Sequence, residues 1–197
     1  MVSSSGKSRR SSAKANSVSK ARISPTGKAV RGKSASRQPK KSAANITSGD
    51  MALLSRDLRE FIESLNTQAV QHLIVGGIAV AFHGHPRYTK DLDVWVGTDH
   101  ENAIRLIKAL DEFGMGSLGL NPKDFEEQDT FVQLGYDPNR IDLITSLVGV
   151  DFDKCYATRV EVSDGELKLN FIDLESLKAN KRASGRLQDL ADVENLE

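Results

Sequence analysis

The stretch "VGGIAVAFHGHPRYTKDLDVWV" (residues 75–96) decides the fold. It opens with a glycine pair after an apolar run and closes with Asp91 and Asp93 inside a segment typical of a β-strand. Aspartate is a poor strand residue, so two of them on a buried strand need a reason. Because side chains alternate along a strand, both carboxylates lie on one face, about 7 Å apart.

This pair of aspartates needs a positive counter-charge. Two unpaired carboxylates on one face repel each other, and each is driven toward protonation unless a cation neutralises both. Leu92 separates them, so no Lys or Arg lies between them to do that. Oxygen ligands suit Mg²⁺ or Mn²⁺. Asp142, between the apolar residues Ile141 and Leu143, is a third candidate ligand if its strand pairs beside "DLDVWV".

The glycine pair, Gly76 and Gly77, stands where a strand ends and a helix begins. In that geometry, backbone N–H groups and a helix N-terminus bind phosphate. Arg87, Thr89 and Lys90 add donors immediately before the aspartates. Phosphate donors followed by metal ligands on one strand–helix–strand unit indicate metal-assisted phosphoryl or nucleotidyl transfer.

The rest of the folded part predicts an α+β fold, a mixed β-sheet with helices packed on it. Apolar spacing predicts a first helix that Ser48 or Asp50 caps. The predicted elements include helices at 48–66 and 100–114, hairpins around 137–139 and 164–165, and two helical segments after Asp173.

Charge divides the chain at residue 50. Residues 1–49 hold 12 of the 27 Lys and Arg and no Asp or Glu, so 50–197 carries 15 basic and 27 acidic residues, a net charge of −12. The first segment also holds 13 serines and no aromatic residue, which predicts a disordered basic tail at 1–49 before one domain at 50–197. The tail either binds nucleic acid or another acidic surface, or is solvated without a dedicated partner.

The sequence also bears on location. Its one cysteine, Cys155, excludes an internal disulfide and a cysteine-rich metal site. No run approaches the roughly 18 apolar residues of a membrane span, and no apolar signal-peptide core follows Met1. We expect a soluble cytoplasmic protein with no membrane partner. A serine-rich basic start also fits an organelle transit peptide, but it shows no amphipathic pattern.

The segment "LIVGGIAVAFHGHPRYTKDLDVWV" (73–96) resembles the signature of the nucleotidyltransferase superfamily, which has a polymerase-β-like catalytic core. That signature is an apolar strand, a Gly-Gly or Gly-Ser pair and then Asp-x-Asp. The form with "R-x-T-x-D" looks most like the abortive-infection toxin branch. Asp142 and the late "KANKRASGRLQDLADVENL" (178–196), with its Arg-x-x-Asp segment, fit that branch too.

The resemblance implies an enzyme that moves a nucleoside monophosphate from a nucleoside triphosphate to a hydroxyl and releases pyrophosphate. The acceptor would be RNA (tRNA-like), a protein or a small molecule, and an antitoxin is a possible partner. The catalytic and metal-binding residues would be Asp91, Asp93 and Asp142, with Mg²⁺ or Mn²⁺ as cofactor. The nucleotide-binding residues would be Gly76, Gly77, Arg87, Thr89, Lys178, Lys181 and Arg182.

Other interpretations remain open on the sequence alone. The chain could be a catalytically inactive binding or regulatory module, although a structural role would not require all three aspartates. A nucleic-acid-binding protein that acts only through its tail would leave them unexplained. Asp91 and Asp93 could face water on an edge strand, Asp142 could be a surface acid near a turn, and the late basic residues could be a solvated helix face.

Overall fold

A computed structural model of the chain describes residues 18–22, 54–89, 91–137 and 139–196, the first range as backbone only. The described residues form seven strands and six α-helices. In chain order these are β1 (Val18–Arg22), α1 (Arg56–Thr67), β2 (His72–Ile74), α2 (Gly76–Phe82), β3 (Asp91–Val96), α3 (His100–Glu112), β4 (Thr130–Leu134), β5 (Arg140–Ile144), α4 (Phe152–Thr158), β6 (Val160–Asp164), β7 (Leu167–Phe171), α5 (Leu174–Ser184) and α6 (Leu187–Asn195). Short 3₁₀ helices at Gly116–Leu118 and Pro122–Phe125 connect α3 to β4.

All seven strands belong to one sheet, in the order β1-β4-β5-β3-β2-β7-β6. The pairs β3–β5 and β2–β7 are parallel, and the other four pairs are antiparallel. The predicted α+β class, with a mixed sheet and helices packed on it, is therefore confirmed. Both predicted hairpins are present, as β4–β5 and β6–β7.

The register between β3 and β5 sets up the site. Asp91 is paired with Arg140, and Asp93 is paired with Asp142. Strand β3 has β5 on one side and β2 on the other, so it is an inner strand. This excludes the interpretation in which Asp91 and Asp93 face water from the edge of the sheet.

Helix α1 forms as its apolar spacing predicts, but it begins later. Its buried residues are Leu58, Phe61, Ile62 and Leu65. The Ser55 side chain caps it by accepting a hydrogen bond from the Leu58 N–H at 3.4 Å. The prediction of Ser48 or Asp50 as the cap is wrong. Leu54, which precedes Ser55, is buried in the core but does not belong to the helix. Its apolar side chain continued the helical spacing in the sequence and so predicted too early a start for α1.

The strand β2 and the helix α2 lie in the core next to the site. All three residues of β2 are buried. The α2 residues from Gly77 to Ala81 are buried too, and Phe82 stacks on Phe171 of β7 with ring centroids 4.0 Å apart. At the other end of α2, the Val75 N–H donates to the Asp93 carbonyl oxygen at 3.0 Å, which holds the start of the helix beside β3.

The predicted disordered tail at 1–49 lies outside the described residues except for Val18–Arg22. These five residues pair antiparallel with β4 and form an edge strand of the sheet. Among the helices described, none has the length and apolar character needed to cross a membrane.

Candidate active site

Three carboxylates meet where β3 and β5 lie side by side. Asp91, Asp93 and Asp142 each offer an oxygen atom, and these atoms all lie within 4.8 Å of one another. The convergence follows from the parallel pairing, since residues two apart on one strand share a face with their partners on the next. Asp142 is only 3% exposed, which excludes the alternative of a surface acid near a turn.

The carboxylates carry more negative charge than their surroundings offset. Burial, followed by the charges of Asp91 and Asp142, raises the pKa of Asp93 to about 6. The charge of Arg140 and a hydrogen bond from the Gly77 N–H act in the opposite direction. Burial also raises the pKa of Asp142, again against the effect of Arg140. A group of carboxylates in this condition is one that a divalent cation would stabilise.

The glycine pair packs directly on this cluster. Gly76 has φ +61°, and a Cβ there would stand 1.8 Å from Asp93 Oδ2. A Cβ on Gly77 would stand 2.8 Å from Thr89 Oγ1 and 3.3 Å from Arg87 Nη2. Only glycine leaves room at both positions, so the pair brings the backbone at the start of α2 against the carboxylates.

The donor set fits the cofactor that the sequence predicted. The three groups supply only oxygen atoms, which Mg²⁺ and Mn²⁺ prefer, and no sulfur or imidazole ligand belongs to the cluster. The Thr89 hydroxyl donates a hydrogen bond to Asp91 Oδ1 at 2.7 Å and so orients that carboxylate. Mg²⁺ or Mn²⁺ at this position is consistent with the residues present.

Arg140 is the residue that sequence reasoning missed. Its Nε donates to Asp142 Oδ1 at 3.1 Å and its Nη2 to Asp142 Oδ2 at 2.9 Å, while Nη2 also donates to Asp91 Oδ2. The sequence shows no basic residue between Asp91 and Asp93, but the neighbouring strand supplies one. The available signal was the spacing, because Arg140 stands two residues before Asp142 and so shares its face.

Two of the predicted nucleotide-binding residues, Arg87 and Lys181, belong to a partly buried ion-pair network. Arg87 Nη2 donates to Asp192 Oδ2 at 3.3 Å. Lys181 Nζ donates to Asp192 Oδ2 and to Asp189 Oδ1, both at 2.7 Å. Burial alone would raise the pKa of Asp189, but hydrogen bonds from Lys181 and Ser184 lower it. The network ties α5 and α6 to the loop before β3.

The other two late basic residues differ from each other. Lys178, three residues before Lys181 on α5, is 9% exposed. No hydrogen bond or ion pair joins its ammonium group to another residue in the described ranges. Arg182 is exposed. Burial therefore excludes a solvated helix face for Lys178 and Lys181, whereas Arg182 lies on the exposed side of α5.

The carboxylates Asp189 and Asp192 were not among the predicted site residues, although the Arg-x-x-Asp segment pointed to this region. The sequence does not reveal their ion pairs, because Arg87 and Lys181 reach these carboxylates only in the folded chain. Arg87, whose Nη2 lies near Gly77, pairs with Asp192, which in turn pairs with Lys181, so this chain of residues links α5 and α6 to the neighbourhood of Gly77.

No model of a protein family matches the sequence, and no curated protein matches it. One matching solved structure is the crystal structure of an antigenic nucleotidyltransferase-like protein from Paracoccidioides brasiliensis, with 20% sequence identity, a TM-score of 0.42, and coverage of 73% of this chain and 77% of that chain.

Proposed function

We propose that this protein is a metal-dependent nucleotidyltransferase that moves a nucleoside monophosphate from a nucleoside triphosphate to a hydroxyl group and releases pyrophosphate. One observation carries the proposal. Three carboxylates from adjacent parallel strands lie within 4.8 Å of one another and against a glycine pair at a helix start. The sequence signature and this arrangement agree, because the glycine pair, the Asp-x-Asp motif and Asp142 carry the resemblance to the superfamily and also form the cluster.

The carboxylates would hold the cofactor. Asp91, Asp93 and Asp142 would bind Mg²⁺ or Mn²⁺, which when bound supplies Lewis-acid activation of the attacking hydroxyl and neutralises charge on the transferring phosphate. Thr89 orients Asp91 through its hydroxyl. The Gly77 N–H orients Asp93 through a backbone hydrogen bond.

The remaining predicted residues would bind or position the triphosphate. The backbone of Gly76 and Gly77 gives a phosphate close access to the start of α2. The Lys178 residue is only 9% exposed and no carboxylate among the described residues pairs with its ammonium group, so we assign it to the triphosphate. Arg87 and Lys181 share Asp192 and would act mainly by holding α5 and α6 in place.

We propose RNA as the acceptor. The net charge of −12 over residues 50–197 repels RNA, whereas the tail at 1–49 carries 12 basic residues that attract it. Val18 pairs with Leu134 at the end of β4, and Leu134 pairs with Ile141 at the start of β5. Val18, the first residue of β1, therefore lies at the same end of the strands as Asp91 and Arg140.

A toxin of a toxin–antitoxin or phage-defence pair would be one biological setting for such a transferase. Its support is the likeness of "R-x-T-x-D-L-D" to the toxin branch. Growth arrest on expression of the wild-type chain, and none with Asp91→Asn, would support this role. Normal growth with both chains would argue against it.

The proposal is tested by incubating the protein with Mg²⁺ or Mn²⁺, each α-labelled nucleoside triphosphate and total RNA. Label in RNA or protein, with stoichiometric pyrophosphate, is expected for the wild type. Asp91→Asn, Asp93→Asn and Asp142→Asn should each lose at least about 100-fold in rate, the scale of removing one key electrostatic group. Asp153→Asn, an exposed carboxylate on α4, is the matched control and should retain full activity. Absence of label under all conditions would overturn the proposal.

A second candidate is a catalytically inactive nucleotide-binding or regulatory module of the same fold. The observation that favours it is the pairing of Arg140 with Asp91 and Asp142, which partly neutralises the cluster without a metal. Nucleotide binding that is the same with and without Mg²⁺, together with no transfer, would favour this candidate.

A further inference from the structure

We propose that Arg140 is a positioning residue of the candidate metal centre: its guanidinium holds Asp91 and Asp142 together in the metal-free protein and moves to Asp137 when a divalent cation binds. The inference rests on the proposed function only through the metal site. It adds Arg140, which the sequence signature did not include, to the site. It also predicts that Arg140 lowers the affinity for metal.

The guanidinium and a cation need the same oxygen atoms. Arg140 donates to both oxygens of Asp142 and to Oδ2 of Asp91. These are two of the three carboxylates whose oxygens converge within 4.8 Å. A carboxylate that accepts hydrogen bonds from a guanidinium in this way has fewer lone pairs for a metal, so the two cations compete.

Arg140 has another carboxylate within reach. Its Nη1 lies 3.8 Å from Asp137 Oδ1, three residues back in the chain. The Asp137 side chain is 44% exposed and that of Asp142 is 5% exposed, so Asp137 lies on the solvent side of the cluster. The Arg140 side chain is 29% exposed, and rotation of its own torsions can transfer it outward without moving β5.

The displacement lowers the apparent affinity for metal. Mn²⁺ can bind these oxygen atoms only after the guanidinium has left them. The apparent affinity is therefore the intrinsic affinity multiplied by the fraction of protein in which the ion pairs are already broken. Removing the guanidinium also leaves the carboxylates with no fixed counter-charge, which strengthens their attraction for a divalent cation. Arg140→Gln should therefore bind Mn²⁺ at least tenfold more tightly than the wild type.

The experiment titrates full-length protein with Mn²⁺ in the absence of nucleotide and measures free Mn²⁺ by electron paramagnetic resonance. The proteins are wild type, Arg140→Gln, Arg140→Lys and the matched control Arg59→Gln. Arg59 pairs with Asp164 at a similar side-chain exposure of 35%, and among the described residues no hydrogen bond or ion pair joins it to Asp91, Asp93 or Asp142. We expect tighter Mn²⁺ binding for Arg140→Gln. The change should be smaller for Arg140→Lys, because lysine keeps the positive charge but lacks the paired N–H donors of the guanidinium. Arg59→Gln should bind Mn²⁺ as the wild type does.

Asp137 is tested by a double-mutant cycle. Asp137→Asn should weaken Mn²⁺ binding in the wild type, because the displaced guanidinium loses its acceptor. In the Arg140→Gln background the same change should have a much smaller effect. An equal effect in both backgrounds would show that Asp137 acts only through its own charge and would overturn the role assigned to it.

Asp142→Asn separates failure of the site from failure of the inference. If it binds Mn²⁺ as the wild type does, or if no variant binds, the metal site and the proposed function fall together. If Asp142→Asn loses binding while Arg140→Gln binds equally or more weakly than wild type, the site stands and the displacement is overturned. In EDTA, Arg140→Gln should have a lower melting temperature than the wild type. Adding Mn²⁺ should raise the melting temperature of the variant by more than it raises that of the wild type.

Discussion

Gly76 lies against the carboxylate of Asp93, so closely that a Cβ on Gly76 would stand 1.8 Å from Asp93 Oδ2. The glycine pair and the second aspartate of "DLD" are therefore one structural unit, although most of α2 and a loop separate them in the chain. The first prediction follows from this contact.

Gly76→Ala should be strongly destabilising and should weaken Mn²⁺ binding, because the new methyl group displaces Asp93. The matched control is Gly165→Ala, since Gly165 has φ +64° and no atom within 4 Å of a Cβ. Each substitution places alanine in left-handed backbone at roughly 1–2 kcal/mol. The clash should add about 1–3 kcal/mol at Gly76 alone. Urea unfolding of both variants measures the difference, and equal losses would show that Asp93 moves aside easily.

The two buried lysines of α5 should respond in opposite ways. Lys181→Met leaves Asp189 and Asp192 without their shared cation and should destabilise the protein by about 3–5 kcal/mol. Lys178→Met removes a charge that has no ion-pair partner among the described residues and keeps an apolar side chain at a position only 9% exposed, so stability should be unchanged or higher. The same change should weaken nucleoside triphosphate binding about tenfold or more.

Denaturant unfolding and nucleotide titration of both variants test this contrast. A large loss of stability in Lys178→Met would mean that its ammonium group has a structural role. Unchanged triphosphate affinity in a well-folded Lys178→Met would remove it from the nucleotide site.

His72 should make the protein acid-sensitive. Burial lowers its pKa from 6.5 to about 4, and the charge of Arg159 contributes further. Its Nδ1 contacts the Val70 carbonyl at 2.9 Å, whereas Nε2 is buried without a partner. The unfolded chain therefore binds a proton more readily, and the free energy of unfolding should fall by about 3 kcal/mol between pH 6.5 and pH 4.

His72→Leu should remove this part of the pH dependence. The wild type and the variant should differ by a constant amount above pH 6.5, and the variant should gain in relative stability below it. Chemical denaturation at several pH values measures the two slopes. Parallel curves down to pH 4 would show that His72 does not titrate differently on folding.

Deleting residues 1–17 should weaken RNA binding without removing β1. The deletion removes four basic residues, Lys7, Arg9, Arg10 and Lys14. The slope of log K against log salt for single-stranded RNA should become shallower by up to about 3. Fluorescence anisotropy over a range of salt concentrations measures it. An unchanged affinity and slope would leave the basic segment without a role in acceptor binding.

The local sequence determined the elements, because each rests on short-range chemistry. The alternation of "DLDVWV" predicted β3 to the residue, and the glycine pair marked the junction where β2 ends and α2 begins. The turn residues predicted both hairpins. The end of α5 at Gly185, which has φ +65°, also follows from the chain itself.

Only the tertiary structure decided which charges meet. The parallel register of β3 and β5 placed Arg140 beside Asp91, and packing of α6 placed Asp192 between Arg87 and Lys181. Arg140 and Asp91 are 49 residues apart in the chain and Arg87 and Asp192 are 105 apart, and pairing between such distant segments depends on the whole core. The sequence could therefore name the three aspartates, whereas the cations that neutralise the site's carboxylates emerged only when distant strands and helices came together.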